Sequence, residues 1–312
     1  MRLLSLVRWE LVLTVRGLAT HLAVTLMSLA SVGLVGVGIF VLNLWSPFPT
    51  GQSIGFRPDA AGTPQLSSLL GAHRGGVAFL VLLLWLLLVA TLVGPAFGAG
   101  AIVRDRRSGR LDRVLADASR ADAVAIAKLL ASLIPLGIVL AAGGPSTSFA
   151  WLIGGLATRE AMAGVAVLLV AAVLVAAIGL VCSAIATTEV GALVASYFVI
   201  GGLFLGPLVA GVGLALAGSR TAAVSVVSFD PLVALLSVQT SLTVGLTRAL
   251  LVDWPNPRLF WLVGRVRVPV WAADVLVYAL LAAALVWLTS VVIEPLHPIK
   301  TWRLRRAQGV SR

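Results

Sequence analysis

Charge is scarce in this sequence, and negative charge scarcest. Twelve Asp and Glu stand against 23 Lys and Arg in 312 residues, and charged residues make up only 11% of the chain. A soluble domain carries nearer about a quarter. A water-facing surface cannot be built from so few charges, so a bilayer must be the solvent for most of this chain. Cysteine is almost absent. Cys182 stands alone, which excludes an intrachain disulfide, and it lies inside an apolar run, where it reads as a small packing residue. The three histidines, His21, His73 and His297, are too far apart to suggest a metal cluster. Lysine is nearly missing as well, with only Lys128 and Lys300.

What is present is apolar: 60% of residues are hydrophobic and the mean hydropathy is +1.06. Charges mark the ends of six long apolar runs: His21 to Leu44, Gly76 to Val103, Leu129 to Ala142 (continuing a helix opened near Asp122), Ala161 to Ala186, Val190 to Ala217, and Val270 to Ile293. Each is long enough to cross a hydrocarbon core of roughly 30 Å. In lipid the backbone must satisfy its own hydrogen bonds, and these runs lack the alternation of barrel strands. The expected fold is therefore an all-α membrane protein of six transmembrane helices forming one domain over residues 1–312.

The net charge of +11 would suit nucleic acid. Here the basic residues sit at the ends of apolar runs, so they read as loops facing anionic lipid instead. With the N-terminus inside, the cytoplasmic side collects Arg2, Arg8 and Arg16, six arginines from Arg104 to Arg120, and Lys300, Arg303, Arg305, Arg306 and Arg312. The outer side collects Arg57, Arg74, Arg159 and five arginines from Arg220 to Arg267. Fourteen against eight places both termini in the cytoplasm. Met1–Gly17 carries charge along its whole length, so it is not expected to be a cleaved signal peptide. Leu4, Val7, Leu11 and Val15 share one helical face and Arg2, Ser5, Arg8 and Arg16 another, as in a helix lying in the membrane surface.

Two further segments stand out. Between the second and third spans, residues 104–120 hold Leu111, Val114, Leu115 and Ala118 at i, i+3, i+4 and i+7, one stripe of a short helix. Arg110, Arg113 and Asp117 take the other side, Gly109 lets the chain turn before it, and Ser119-x-x-Asp122 resembles a capping box after it. An ordinary basic loop needs no such stripe, so a docking helix is expected. Residues 218–268 form a long outer loop, in which Pro231–Thr247 is apolar but short for a span and reads as re-entrant or interfacial. Trp254-Pro255-Asn256-Pro257 after it reads as a turn.

This order of parts resembles the permease subunit of type-2 ABC exporters: elbow helix, two spans, coupling helix, four more spans. Asp105, Gly109-Arg110-Leu111, Val114-Leu115, Ala118-Ser119 and Ala127-Lys128-Leu129-Leu130 keep the spacing of the family's coupling stretch. They depart from it with Asp105 for Glu, Arg110 for Thr, Ala118-Ser119 for Thr-Pro and Ala127 for Gly. Gly179 to Thr188 is similar to the inner end of the family's fourth span, and Ser228-Phe229-Asp230-Pro231 to the Pro segment after its fifth. The resemblance implies a subunit of a bacterial inner-membrane exporter that pairs with a second copy or a homologous permease. It implies docking to a separate ATPase through Gly109, Arg110, Leu111, Asp112, Val114, Leu115 and Ala118. ATP and Mg would belong to that partner, because this chain has no Gly-x-x-x-x-Gly-Lys-Ser/Thr loop and no cofactor of its own is expected. The importer signature loop is also missing, which points to export.

Two other classes compete. A secondary carrier or channel would need carboxylates at depth, and the midplane positions are nearly free of charge. A membrane scaffold would use the basic loop to recruit a soluble partner. An enzyme is not expected, since no catalytic pair can be assembled from the polar residues in the apolar runs. Lys128 reads most simply as a cation snorkelling to the inner interface, and Asp274 as a solvated residue near the outer one. Small residues such as Gly201, Gly202, Gly206 and Gly211 read as helix-packing positions. A weakly polar path would suit an apolar or amphipathic substrate.

Overall fold

The computed structural model describes residues 25–34, 36, 74–117, 121–153, 156–239, 260–263 and 266–293. The expected surface helix at Met1–Gly17 lies outside them, as do most of the first apolar run and the cap residue Ser119. Of that first run, α1 (Thr25–Leu34) is an apolar helix, and Ser28 Oγ donates to the Ala142 carbonyl at 3.2 Å.

The rest is helical with one exception. In order come α2 (Arg74–Ala99), α3 (Ala101–Arg107), α4 (Arg110–Asp117), α5 (Ala121–Ala141), α6 (Gly144–Ile153), α7 (Thr158–Ile185), α8 (Glu189–Leu216), α9 (Arg220–Val227), α10 (Pro231–Val238), β1 (Phe260–Val263), β2 (Val266–Pro269) and α11 (Val270–Ile293). Among the described residues, five helical stretches are long and apolar enough to cross a membrane: Gly75–Arg107, which joins α2 and α3, and helices α5, α7, α8 and α11. This is the pattern of a multi-pass membrane protein, and it follows the charge-free runs of the sequence closely. The third helix opens at Ala121, with Asp122 in its first turn where an acid suits the helix dipole.

Helix α7 is the axis of the bundle. It packs against α2, α11, α8, α10 and α5, and 72% of its most apolar stretch is buried, against 11% for α8. Small residues make this possible. A Cβ on Gly98 of α2 would stand 2.8 Å from the Ala176 carbonyl oxygen of α7, so the two backbones meet with nothing between them. Leu82, Leu83, Leu87, Val167, Ala171 and Leu235 belong to one core cluster, and Ala176, Ile178 and Leu180 to a second that lies at this contact. Pro95, Pro135 and Pro207 sit inside α2, α5 and α8, which packed membrane helices tolerate because neighbours satisfy the freed backbone groups.

One feature departs from expectation, and another adds detail to the expected outer loop. The fold is not wholly α-helical: β1 and β2 pair antiparallel, Val263 opposite Val266, immediately before α11. And the segment after α8 is a helical hairpin that begins earlier than Pro231. Helix α9 folds back along α8, with Val227 against Gly211, and α10 returns between α7, α11 and α2. Ala234 and Leu235 of α10 are fully buried. Gln239 Nε2 then donates to the Gly76 carbonyl at 2.6 Å, closing the hairpin on the start of α2.

Candidate functional site

The stretch singled out between the second and third spans is built around one buried acid. Asp105 of α3 is 1% exposed. Lys128 of α5, itself 3% exposed, brings Nζ to 2.6 Å from Asp105 Oδ2, a close ion contact off the line of a hydrogen bond. Arg110, at the start of α4, donates from Nε to Oδ1 at 2.8 Å and also from Nη2 to the same oxygen. One carboxylate thus ties together three helices. Lys128 does not snorkel to an interface; it is spent inside the protein on Asp105.

The same segment is stitched to α7. Ser183 Oγ accepts from the backbone N–H groups of Ile102 (3.0 Å) and Val103 (3.1 Å), two donors that the first turn of α3 leaves without helical partners. Arg106 works in the opposite direction. Its guanidinium donates to the carbonyls of Ala186 (3.0 Å) and Ala184 (2.6 Å), the open carbonyl end of α7. At the rim, Arg104 and Glu189 form an exposed ion pair at 3.5 Å that joins α3 to the first turn of α8.

The turn from α3 to α4 requires its glycine. Gly109 has φ +63°, a left-handed conformation that costs other residues about 1 kcal/mol, and its N–H returns to the Arg106 carbonyl. Helix α4 follows. Leu111 is 7% exposed, and Val114 and Leu115 pack beside it against a core that includes Val124, Ala125 and Leu129 of α5 and Ile178 of α7. The apolar stripe read from the sequence therefore exists and is turned toward the protein's own bundle. Arg107, Ser108 and Gly109 face outward. Asp112 lies on α4 with its side chain undescribed, and Ala118 lies outside the described residues.

Away from this segment, an open apolar groove of about 580 Å³ runs between α5, α7 and α11, with Ile126, Val170, Val173, Val286 and Trp287 among its walls and Asp122 at one end. Among the described residues no group of three or more His, Cys, Asp or Glu could hold a metal ion.

Sequence reasoning missed a second charged locus. Asp274 of α11 is fully buried, not solvated, and so is Asp230 at the tip of the α9–α10 hairpin. The available signal was the dipeptide Asp230-Pro231, an N-cap followed by proline at the first helical position, which announces α10 and places an acid at its start. The paired strands also left a trace in the sequence, since two apolar stretches, 260–263 and 266–269, are separated by two residues of which the first is glycine.

No protein-family model matches the chain, and no curated protein sequence does so.

Proposed function

We propose that this chain is the membrane-spanning permease subunit of a type-2 ABC exporter of the bacterial inner membrane, with both termini cytoplasmic and ATP hydrolysed on a separate subunit. One observation carries the reading: a short helix between two candidate spans is locked to the bundle at several independent points. A helix that relays force must not slip against the spans it drives. Here Asp105 joins α4 to α5 through Arg110 and Lys128, while Ser183 and Arg106 join α3 to α7. A push on α4 would reach α5 and the central helix α7 together. The surface offered to an ATPase is then the outward-facing turn Arg107-Ser108-Gly109 and the outer side of α4, with the Leu111 stripe serving as its attachment to the bundle.

The remaining parts fit this reading. Helix α8 exposes Val194, Phe198, Leu205 and Val209, a face for a second permease copy or for lipid. The groove between α5, α7 and α11 would suit the apolar part of an amphipathic substrate. The test is site-directed cross-linking with a co-expressed ATP-binding cassette ATPase subunit from the same genome. In a Cys182→Ser background, Ser108→Cys should cross-link to the ATPase, and Asp105→Asn should leave complex formation largely intact while abolishing substrate-stimulated ATP hydrolysis. Absence of copurification, or of any adduct from residue 108, would sink the assignment.

A second reading, an ion-coupled carrier, is favoured by one observation, the buried acids Asp230 and Asp274. Transport that persists without the ATPase and follows an ion gradient would select it.

A further inference from the structure

The α9–α10 hairpin brings together the least compensated charges among the described residues. Its open end is held at the start of α2 by Gln239. Its tip, Ser228 to Asp230, reaches Tyr278, whose hydroxyl donates to the Phe229 carbonyl at 2.6 Å. Tyr278 stands eight residues into α11, a depth of about 12 Å along that helix. At this tip Asp230 caps α10: Oδ1 accepts from the Leu232 N–H at 2.7 Å, and Oδ2 has no hydrogen-bond partner. Asp274 lies one turn before Tyr278 on the same face of α11 and within electrostatic reach of Asp230. Neither of its oxygens has a partner. Both residues are 0% exposed, and among the described residues no Lys, Arg or His pairs with either.

Three carboxylate oxygens are therefore buried without hydrogen-bond donors, on two residues within electrostatic reach of each other. Burying even one such charge is costly unless it meets an opposite charge. The surrounding groups add to the deficit of positive charge. The carbonyl end of α9 points at the tip, and a helix C-terminus carries partial negative charge. The Tyr278 hydroxyl gives its proton to the Phe229 carbonyl and keeps oxygen lone pairs of its own. The N-terminus of α10 is the one positive element, and Asp230 Oδ1 already answers it.

We propose that Asp230 and Asp274, with the Tyr278 hydroxyl oxygen, bind a small, largely dehydrated metal cation of the alkali or alkaline-earth class. The donor set consists of hard oxygens without nitrogen or sulfur, which selects these ions over zinc or copper. The sealed position has no exposed surface through which a bulky organic cation could be seated. Two carboxylates neutralise a divalent ion fully and a monovalent ion with charge to spare. Bound there, the ion would pin the hairpin tip to α11; released, it would leave two like charges facing each other and favour withdrawal of the tip. This inference is independent of whether the chain docks an ATPase.

The test uses the full chain, purified and reconstituted in lipid nanodiscs, stripped with chelator and held at constant ionic strength with choline chloride. Sodium, potassium, magnesium and calcium chlorides are then added separately and thermal unfolding is followed. At least one ion should raise Tm in proportion to the logarithm of its concentration above its dissociation constant, and Asp274→Asn and Asp230→Asn should each abolish that rise. Asparagine still caps a helix, so Asp230→Asn should keep α10. A wild-type Tm that no ion moves more than choline does, or a rise that survives Asp274→Asn, overturns the site. Should the variants fail to fold, infrared difference spectra of the wild type decide. An ion-induced shift of a carboxylate stretch supports the site; a carboxylic-acid carbonyl band that no ion perturbs shows that a proton alone occupies it, and overturns the proposal.

Discussion

Asp105 and Asp274 are the same residue type, equally buried, near opposite ends of one helical bundle, and the chain treats them in opposite ways. Asp105 receives a lysine and an arginine from two other helices, and its own backbone carbonyl accepts from Ser108 Oγ. Asp274 receives no hydrogen bond, and the charged group that acts on it electrostatically is another carboxylate, Asp230. With only two lysines in the whole chain, placing one of them beside Asp105 is a specific use of a rare residue. A buried acid with its cations built in is a fixed joint. A buried acid left without one is a place where charge can arrive and leave. Part of the difference is local, since Asp105 stands among Arg104, Arg106, Arg107 and Arg110 while the nearest charge to Asp274 in sequence is Arg267; the lysine is supplied by tertiary placement.

The comparison breaks most sharply on removal of each carboxylate in turn. Asp105→Ala strands Lys128 as an unpaired buried cation, and losing one partner of a buried ion pair costs about 3–5 kcal/mol. Denaturant unfolding of the purified chain should show a loss of that size. The double variant Asp105→Leu/Lys128→Met should recover most of it, because neither charge then needs solvation. Asp274→Asn should act with the opposite sign in cation-free buffer. It removes a buried charge that has no partner, and a gain of about 1–2 kcal/mol is expected, short of full relief because the amide is still a buried polar group. A loss at Asp274 as large as that at Asp105 would show that the two acids are not different in kind.

A smaller effect isolates the turn that delivers Arg110 to Asp105. Gly109→Ala places a Cβ in open space but forces it onto φ +63°. The expected cost is about 1 kcal/mol, with a matching fall in ATPase stimulation if α4 relays force. Gly202→Ala in α8 is the control. Its Cβ also meets nothing within 4 Å, but it sits in a regular helix, where alanine is favoured over glycine, so the Tm should hold or rise.

Much of this fold was legible because the bilayer imposes a simple rule. Charge-free runs of sufficient length must be helices, and their ends are where charges resume; α11 begins where the apolar run does, at Val270. The stripe of Leu111, Val114 and Leu115 was legible for the same reason of periodicity. Its direction was not, because a 3.6-residue repeat shows that a face is apolar and not whether it is covered by the same chain or by another. The hairpin was read only in part. Helix α9 is eight residues long and its apolar run blends into the end of α8, so periodicity has too little length to work with. Asp274 was misread because its place near the start of α11 suggests an interface; the hairpin and the strands before it, which change its surroundings, are contacts distant in sequence. The pairing of Asp105 with Lys128 is hidden for the same reason. Both residues stood at family-like positions, but nothing in their spacing says that they touch.

The gentlest test asks whether charge pairing at the Asp105 end owes its strength to pairing or to burial. Arg104–Glu189 joins the same segment to α8 with the same chemistry, yet its side chains are 68% and 42% exposed and 3.5 Å apart. Water already solvates both partners, so each loses little when the other is removed, and exposed pairs contribute at most about 1 kcal/mol. Arg104→Ala should change unfolding by less than that, and what change there is should fade as salt is raised, because screening reaches exposed charges first. The Asp105–Lys128 contact, sealed from salt, should keep its contribution from low to high ionic strength. Measuring both variants across that range separates the two: if Arg104→Ala and Lys128→Met converge in high salt, burial is not what makes the Asp105 joint strong.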